Sequence, residues 1–277
     1  FDQYTFFRII RAFTDISNGA MQAMYAQFAF NSNKLVMLVV SLAVGMAETA
    51  LPMLARAREI GDRENIGQQI QFALKLLAFV MIPAVLGMVA IARPLYVLFY
   101  RTSDLTNGTL ILQFASYSAI FLSLYMVVLA IYQGLGRLRY TVRLLIFIFA
   151  VKIVLQVPLT IWLQGMGPLL STTIAFLLGM IVAIRHLASL YHIDWASFND
   201  TFVIILFWSL LMYAVVAPIS YTIGLFTPDT KLWQLLNLAI SGGVGAAIYG
   251  VAVLKTHVGE AVLGPRATWL AHKLHLK

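Results

Sequence analysis

TVRLLIFIFAVKIVLQVPLTIWL, residues 141–163, holds a single charged side chain, Lys152, between Arg143 and its apolar end. At about 1.5 Å per residue a helix of this length reaches across the roughly 30 Å of a bilayer's hydrocarbon. The apolar residues are continuous rather than alternating, which excludes a barrel strand and leaves the helix as the way to satisfy the backbone in lipid. Working outward, residues 34–55, 73–92, 108–133, 168–187, 201–224 and 233–254 have the same character. The expected fold is therefore all-α, a polytopic transmembrane helical bundle.

Composition agrees. Hydrophobic residues make up 61% of the chain and charged residues 11%, with a mean hydropathy of +0.87, whereas soluble domains carry about 25% charge. The net charge of +8 could indicate nucleic acid, but the basic residues sit at span ends and not on one face, so a nucleic-acid partner is not expected. Sorted by side, Arg56, Arg58, Arg63, Lys75, Arg137, Arg139, Arg143, Arg185, Lys255, Arg266, Lys273 and Lys277 fall together, and Arg8, Arg11, Lys34, Arg93, Arg101 and Lys231 fall opposite. Positive charge is retained on the cytoplasmic side during insertion. The richer side, with the C-terminus, is assigned to the cytoplasm of a multi-pass protein of the plasma membrane.

The chain contains no cysteine, so disulfides and thiolate metal sites do not arise. It opens on Phe1, with no basic segment leading into a cleavable apolar one, and we expect a piece of a longer protein whose N-terminal part is missing.

Residues 1–20 read as the end of a helix followed by an external loop. The span after Lys34 carries Pro52 near its far end, where a lost backbone bond kinks a helix. Ile66, Ile70, Leu74 and Leu77 recur at helical spacing among Arg63, Glu64, Gln68, Gln71 and Lys75, which predicts an amphipathic segment on the cytoplasmic membrane surface. Gly134 and Gly136 end one span, and Gly165, Gly167 and Pro168 make a tight hairpin between two others. Gly242, Ala246 and Gly250 form a stripe that lets another helix come close. Residues 257–277 read as an amphipathic anchor started by Gly264 and Pro265.

Ionisable side chains inside the membrane cost several kcal/mol unless they meet a partner or a water-filled cavity, so they are the first functional candidates. Lys34 follows Asn31, Ser32 and Asn33 and either lines a cavity or snorkels to the interface from the start of its span. Lys152 has long apolar runs on both sides and is expected to face a carboxylate or carbonyl inside the protein. Glu48 is a candidate for proton coupling or for a structural hydrogen bond. Enzyme patterns are missing. The histidines, His186, His192, His257, His272 and His275, fall in loops or the tail without zinc-hydrolase spacing, and neither a nucleophile elbow nor a phosphate-binding Gly-rich loop occurs. No cofactor and no metal is expected, and both catalysis and direct ATP use lack residues to perform them.

Asn33-Lys34-Leu35 through Leu51-Pro52-Met53-Leu54-Ala55-Arg56, then Arg58-Glu59-Ile60-Gly61-Asp62, resemble the eighth helix and following loop of lipid flippases of the MurJ, SpoVB and Wzx type. These belong to the multidrug/oligosaccharidyl-lipid/polysaccharide exporter superfamily. Tyr132-Gln133-Gly134-Leu135-Gly136-Arg137, the Lys152 helix and its Gly165-Met166-Gly167 turn are similar to the tenth to twelfth helices. The resemblance implies that residues 1–190 form the C-terminal lobe of a MATE-like transporter, from the tail of helix seven through helix twelve. Residues 191–256 would then be two added helices, thirteen and fourteen, and 257–277 a cytoplasmic tail.

It further implies alternating-access transport of a polyprenyl-diphosphate-linked saccharide, lipid II or a related polysaccharide precursor, in cell-wall biosynthesis. Partners would be that lipid, the surrounding membrane lipids and the N-terminal lobe. Lys34 matches a basic cavity residue that attends the diphosphate, with Arg8 and Arg11 as further substrate-binding candidates. Where some members hold sodium between helices seven and eleven, this chain carries Asp2 and Lys152, so a fixed ammonium replaces a metal ion. The alternatives are a multidrug or cation antiporter of the same superfamily and a membrane-embedded glycosyltransferase or polymerase acting on the same lipids.

Overall fold

A computed structural model describes residues 2–100, 104–256, 258 and 259. Among them every regular element is helical: α1 (Asp2–Phe13), α2 (Asn18–Tyr25), a π-helical segment (Ala26–Ser32), α3 (Asn33–Ile60), α4 (Arg63–Ala90), α5 (Ala92–Tyr100), α6 (Leu105–Gly134), α7 (Leu138–Leu163), a short 3-10 turn (Gln164–Met166), α8 (Gly167–Leu190), α9 (Trp195–Phe226) and α10 (Lys231–Lys255). The seven expected spans are α3, α4, α6, α7, α8, α9 and α10. The anchor at 257–277 lies outside the described residues apart from Val258 and Gly259.

The main core lies where α3, α4, α6 and α8 meet, and α7 flanks α8. Lipid is as apolar as leucine, so helices associate here through close packing more than through exclusion of water. Gly134 shows how close. A Cβ added there would stand 2.7 Å from the carbonyl oxygen of Leu51, just before Pro52 inside α3. The α7–α8 hairpin is equally tight, with a Gly167 Cβ placed 2.4 Å from Thr160 Cα. Its left-handed residue is nonetheless Gln164, at φ 47, rather than either glycine of the turn.

A second cluster joins α9 to α4 through Ile82, Leu86, Ile205, Met212 and Val216, with Val244, Ile248 and Tyr249 of α10 packed against it. Tyr249 donates a 2.8 Å hydrogen bond to Phe79 O, and Asn237 Nδ2 donates to Ser220 O at 2.9 Å. Such bonds fasten polar groups that would be costly to leave unpaired in hydrocarbon.

The structure corrects several sequence expectations. The segment before Lys34 is not a loop: Ser17 caps α2 through Ala20 N, and helix continues from Asn18 to Ile60 without a break. The predicted surface segment after Arg58 is the first part of α4, which Asp62 caps by accepting from Glu64 N and Asn65 N after Gly61 ends α3 at φ 77. Its apolar face, with Ile66, Ile70, Leu74 and Leu77, is covered by protein rather than by lipid. On the polar side Gln71 Nε2 donates to Asp194 O at 3.0 Å and Lys75 Nζ to Ser197 Oγ at 2.8 Å, pinning the start of α9. The small-residue stripe on α10 is also displaced. Gly242 and Gly250 meet nothing within 4 Å, and the close contact is made by Gly245 against Val216 and Met212. A one-residue shift on a helix is a turn of about 100°, which periodicity in small residues does not resolve.

Candidate functional site

The buried face of α7 is one stripe at four-residue spacing, Leu144, Ile148, Lys152, Gln156 and Thr160, while most of the rest of the helix is left for lipid. Residues four apart stack on a helix, so the polar end of the stripe presents three polar side chains in line. Helix α1 meets that end. Lys152 Nζ donates to Asp2 Oδ2 at 2.8 Å, and Gln156 Nε2 donates to Thr5 Oγ1 at 2.7 Å. The two contacts form a two-rung polar ladder, spaced three residues on α1 and four on α7.

The ladder is well shielded, with 16% of the Lys152 side chain and 34% of the Asp2 side chain exposed. Asp2 Oδ1, Gln156 Oε1 and Thr160 Oγ1 are buried and have no hydrogen-bond partner among the described residues. Next to it lies a cavity of about 390 Å³ between α1, the π segment, α6 and α8, with Asp2, Gln3, Asn33, Ser118, Thr172 and Thr173 among its polar lining. A cation could be drawn to such oxygens, but the ammonium of Lys152 already neutralises Asp2. No group of three or more metal-binding side chains occurs among the described residues. The residues therefore do not fit a metal ion.

The pair Asp2–Lys152 is thus brought together, and its second rung, Thr5–Gln156, is what sequence reasoning missed. The signal was present: Gln156 is an amide inside an apolar run, one turn beyond Lys152 on the same face.

The remaining candidates stand apart from this ladder. Lys34 is exposed on α3 and makes no hydrogen bond or ion pair among the described residues. It does not open its span, because sixteen helical residues from Asn18 to Asn33 precede it. Ser41 and Glu48 follow on the same face at seven-residue spacing, also exposed. Glu48 makes no hydrogen bond among the described residues, so the structural bond considered for it is not found. Over fourteen residues this stripe runs about 21 Å. The seven-residue π segment before Asn33 is of a kind that often marks functional sites in helices.

Arg8 and Arg11 are exposed on α1, and Arg11 Nη2 donates to Asn18 Oδ1 at 3.3 Å, bridging to the start of α2. No described contact joins either to Lys34. His186, expected in a loop, is in the last turns of α8. Its ring stacks on Tyr140 with centroids 3.8 Å apart, and its Nδ1 lies 2.9 Å from Tyr132 Oη.

Comparison with known proteins agrees with the architecture. A solved structure titled lipid II flippase MurJ, inward closed conformation, superposes with a TM-score of 0.65 at 19% identity, over 85% of this chain and 47% of that one. The lipid II flippase MurJ of Bacillus subtilis (strain 168) is 30% identical over 253 residues, which is 88% of this chain and 46% of the relative. The chain thus spans about half the length of the proteins it matches. The family described as MurJ, lipid II flippase, matches residues 9–237, and on that match the chain belongs to the MurJ lipid II flippase family.

Proposed function

We propose that this chain is the C-terminal part of a flippase that carries a polyprenyl-diphosphate-linked saccharide, lipid II first among them, across the plasma membrane by alternating access. The observation that carries the proposal is the α3 stripe of Lys34, Ser41 and Glu48. It is an exposed polar track on a membrane helix, with a cation at one end, and no described helix covers it. A diphosphate headgroup needs such a track because crossing hydrocarbon without polar contacts costs far more than a transporter can offset. The polyprenyl tail needs none and stays in lipid.

Lys34 supplies point-charge attraction to the diphosphate, and Arg8 and Arg11 on α1 add positive potential. The Asp2–Lys152 ladder fixes α1 against α7 and serves as the coupling element whose making and breaking accompanies the change of access. In this arrangement 1–190 is the C-terminal lobe, 191–256 adds two helices, and the N-terminal lobe closes the cavity over α3. A multidrug antiporter would favour carboxylates on the track, where this chain has Glu48 alone.

The test is rescue of a strain depleted of its own lipid II flippase by the complete protein, read as growth and as arrival of the lipid-linked saccharide at the outer leaflet. Rescue by the B. subtilis relative but not by this protein, with both inserted at equal abundance, would overturn the assignment.

Orientation is a separate expectation of the same proposal. With the basic loops in the cytoplasm, cysteines placed at Glu59 and Leu138 should resist an impermeant thiol reagent in intact cells, and one at Thr106 should react. All three positions are solvent- or lipid-exposed, so the reverse pattern would mean the reverse topology rather than hindered labelling.

A further inference from the structure

A second polar cavity, of about 210 Å³, lies away from the α3 track, between α4, α5, α6, α9 and α10. It sits at span ends: α4 stops at Ala90, α9 stops at Phe226 and α10 starts at Lys231. Tyr221, Phe226 and Trp233 are exposed at the same level, as aromatic side chains are where hydrocarbon gives way to headgroups. This is headgroup depth.

The cavity's charge comes from Arg93, whose guanidinium makes one loose contact among the described residues, 3.7 Å from Nη2 to Asp229 Oδ2. That leaves most of a five-donor guanidinium available. Asp229 is also occupied from its other oxygen, accepting from Gln234 Nε2 at 3.1 Å. Gln234 and Asn237 are buried amides in the lining, with 2% and 0% of their surface exposed, and the half-buried amide of Gln113, which donates to Val89 O at 3.4 Å, lines it as well. Asn237 donates one N–H to Ser220 O and accepts from Ser241 Oγ, so an amide has hydrogen-bonding capacity left on both sides. Each of these amides fastens a neighbouring segment, and each lines the cavity as well.

We infer that this cavity binds the phosphodiester head of an anionic, hydroxylated bilayer lipid of the phosphoglycerol type. Arg93 grips the phosphate in the planar, forked manner of guanidinium groups, and the amides of Gln113, Gln234 and Asn237 meet the headgroup hydroxyls. The volume suits a headgroup and falls short of the roughly 300 Å³ at which pockets for larger ligands begin. Asp229 opposes the phosphate and tunes the affinity down, so the lipid is exchangeable. The site concerns a resident lipid and does not depend on the transport proposal.

Binding is measured as the rise in Tm of the purified full-length protein titrated with dioctanoyl phosphatidylglycerol. Arg93→Gln is expected to weaken binding roughly tenfold. Asp229→Asn keeps an oxygen for Gln234 but removes the opposing charge, and is expected to strengthen binding about threefold. Dioctanoyl phosphatidylcholine, which lacks the hydroxyls, dioctanoylglycerol, which lacks the phosphate, and free glycerol 3-phosphate, which lacks the chains, should each bind more weakly than phosphatidylglycerol. Unchanged affinity in Arg93→Gln, or weaker affinity in Asp229→Asn, overturns the site. Equal affinity for phosphatidylcholine or dioctanoylglycerol overturns the headgroup assignment, and equal affinity for glycerol 3-phosphate would make it a site for soluble phosphate instead. The opposite signs of the two variants separate recognition from mere destabilisation.

Discussion

Replacing Lys34 by alanine should abolish most of the rescue of a flippase-depleted strain while the protein stays at normal abundance in the membrane. A hydrogen bond to a charged group contributes about 1.5–3 kcal/mol, so losing it in the transport step slows translocation roughly ten- to a hundredfold. Lys34→Arg keeps the charge and should keep much of the activity, since a diphosphate accepts a guanidinium as well as an ammonium. Stability should hardly change, because Lys34 is exposed and makes no hydrogen bond or ion pair among the described residues. An interfacial lysine snorkelling to water predicts the contrary result, near-normal growth with both Lys34→Gln and Lys34→Ala. Normal growth with Lys34→Ala, protein levels checked by immunoblot, removes the residue from the track.

The second large effect is expected at the ladder. Lys152→Met leaves the Asp2 carboxylate shielded and unpaired, its Oδ1 already without a hydrogen-bond partner among the described residues. Breaking a fully buried pair costs about 3–5 kcal/mol; with 34% of the Asp2 side chain exposed, on the order of 1–3 kcal/mol is a better expectation. Lower Tm and lost rescue should appear together. Asp2→Asn in the same protein removes the stranded charge and should recover part of both, so the double variant should exceed the additive expectation. Strict additivity would show that the two groups touch without being energetically coupled. Gln156→Leu gives a milder comparison, because it removes a neutral rung and its unpartnered Oε1 together.

The spans were legible because each is a long apolar run, and a 3.6-residue period needs no tertiary information. So was the intramembrane pair, although for a mixed reason: Lys152 stood out as a charge amid apolar residues, but its partner came from the resemblance. Nothing local to Asp2 marks it, since it lies at the edge of a twelve-residue helix. The polar composition around residue 20 suggests an external loop, yet Met21 of α2 and Phe28 of the π segment cluster with Phe6 and Ile10 and hold the stretch before Lys34 helical. Tertiary packing overrode a weak local propensity.

Composition and periodicity by themselves determined that the chain is a helical membrane bundle, where its long apolar runs lie and which charges are out of place, because each of these depends on transfer between water and hydrocarbon. Tertiary structure decided which face of each helix is covered. It turned the amphipathic start of α4 inward under α9, moved the close contact on α10 from Gly242 to Gly245, and left Lys34 exposed while it enclosed Lys152. Those choices depend on the shapes of neighbouring helices, and in lipid, where an apolar face has no need to hide, the sequence of one helix does not say which side its neighbour takes.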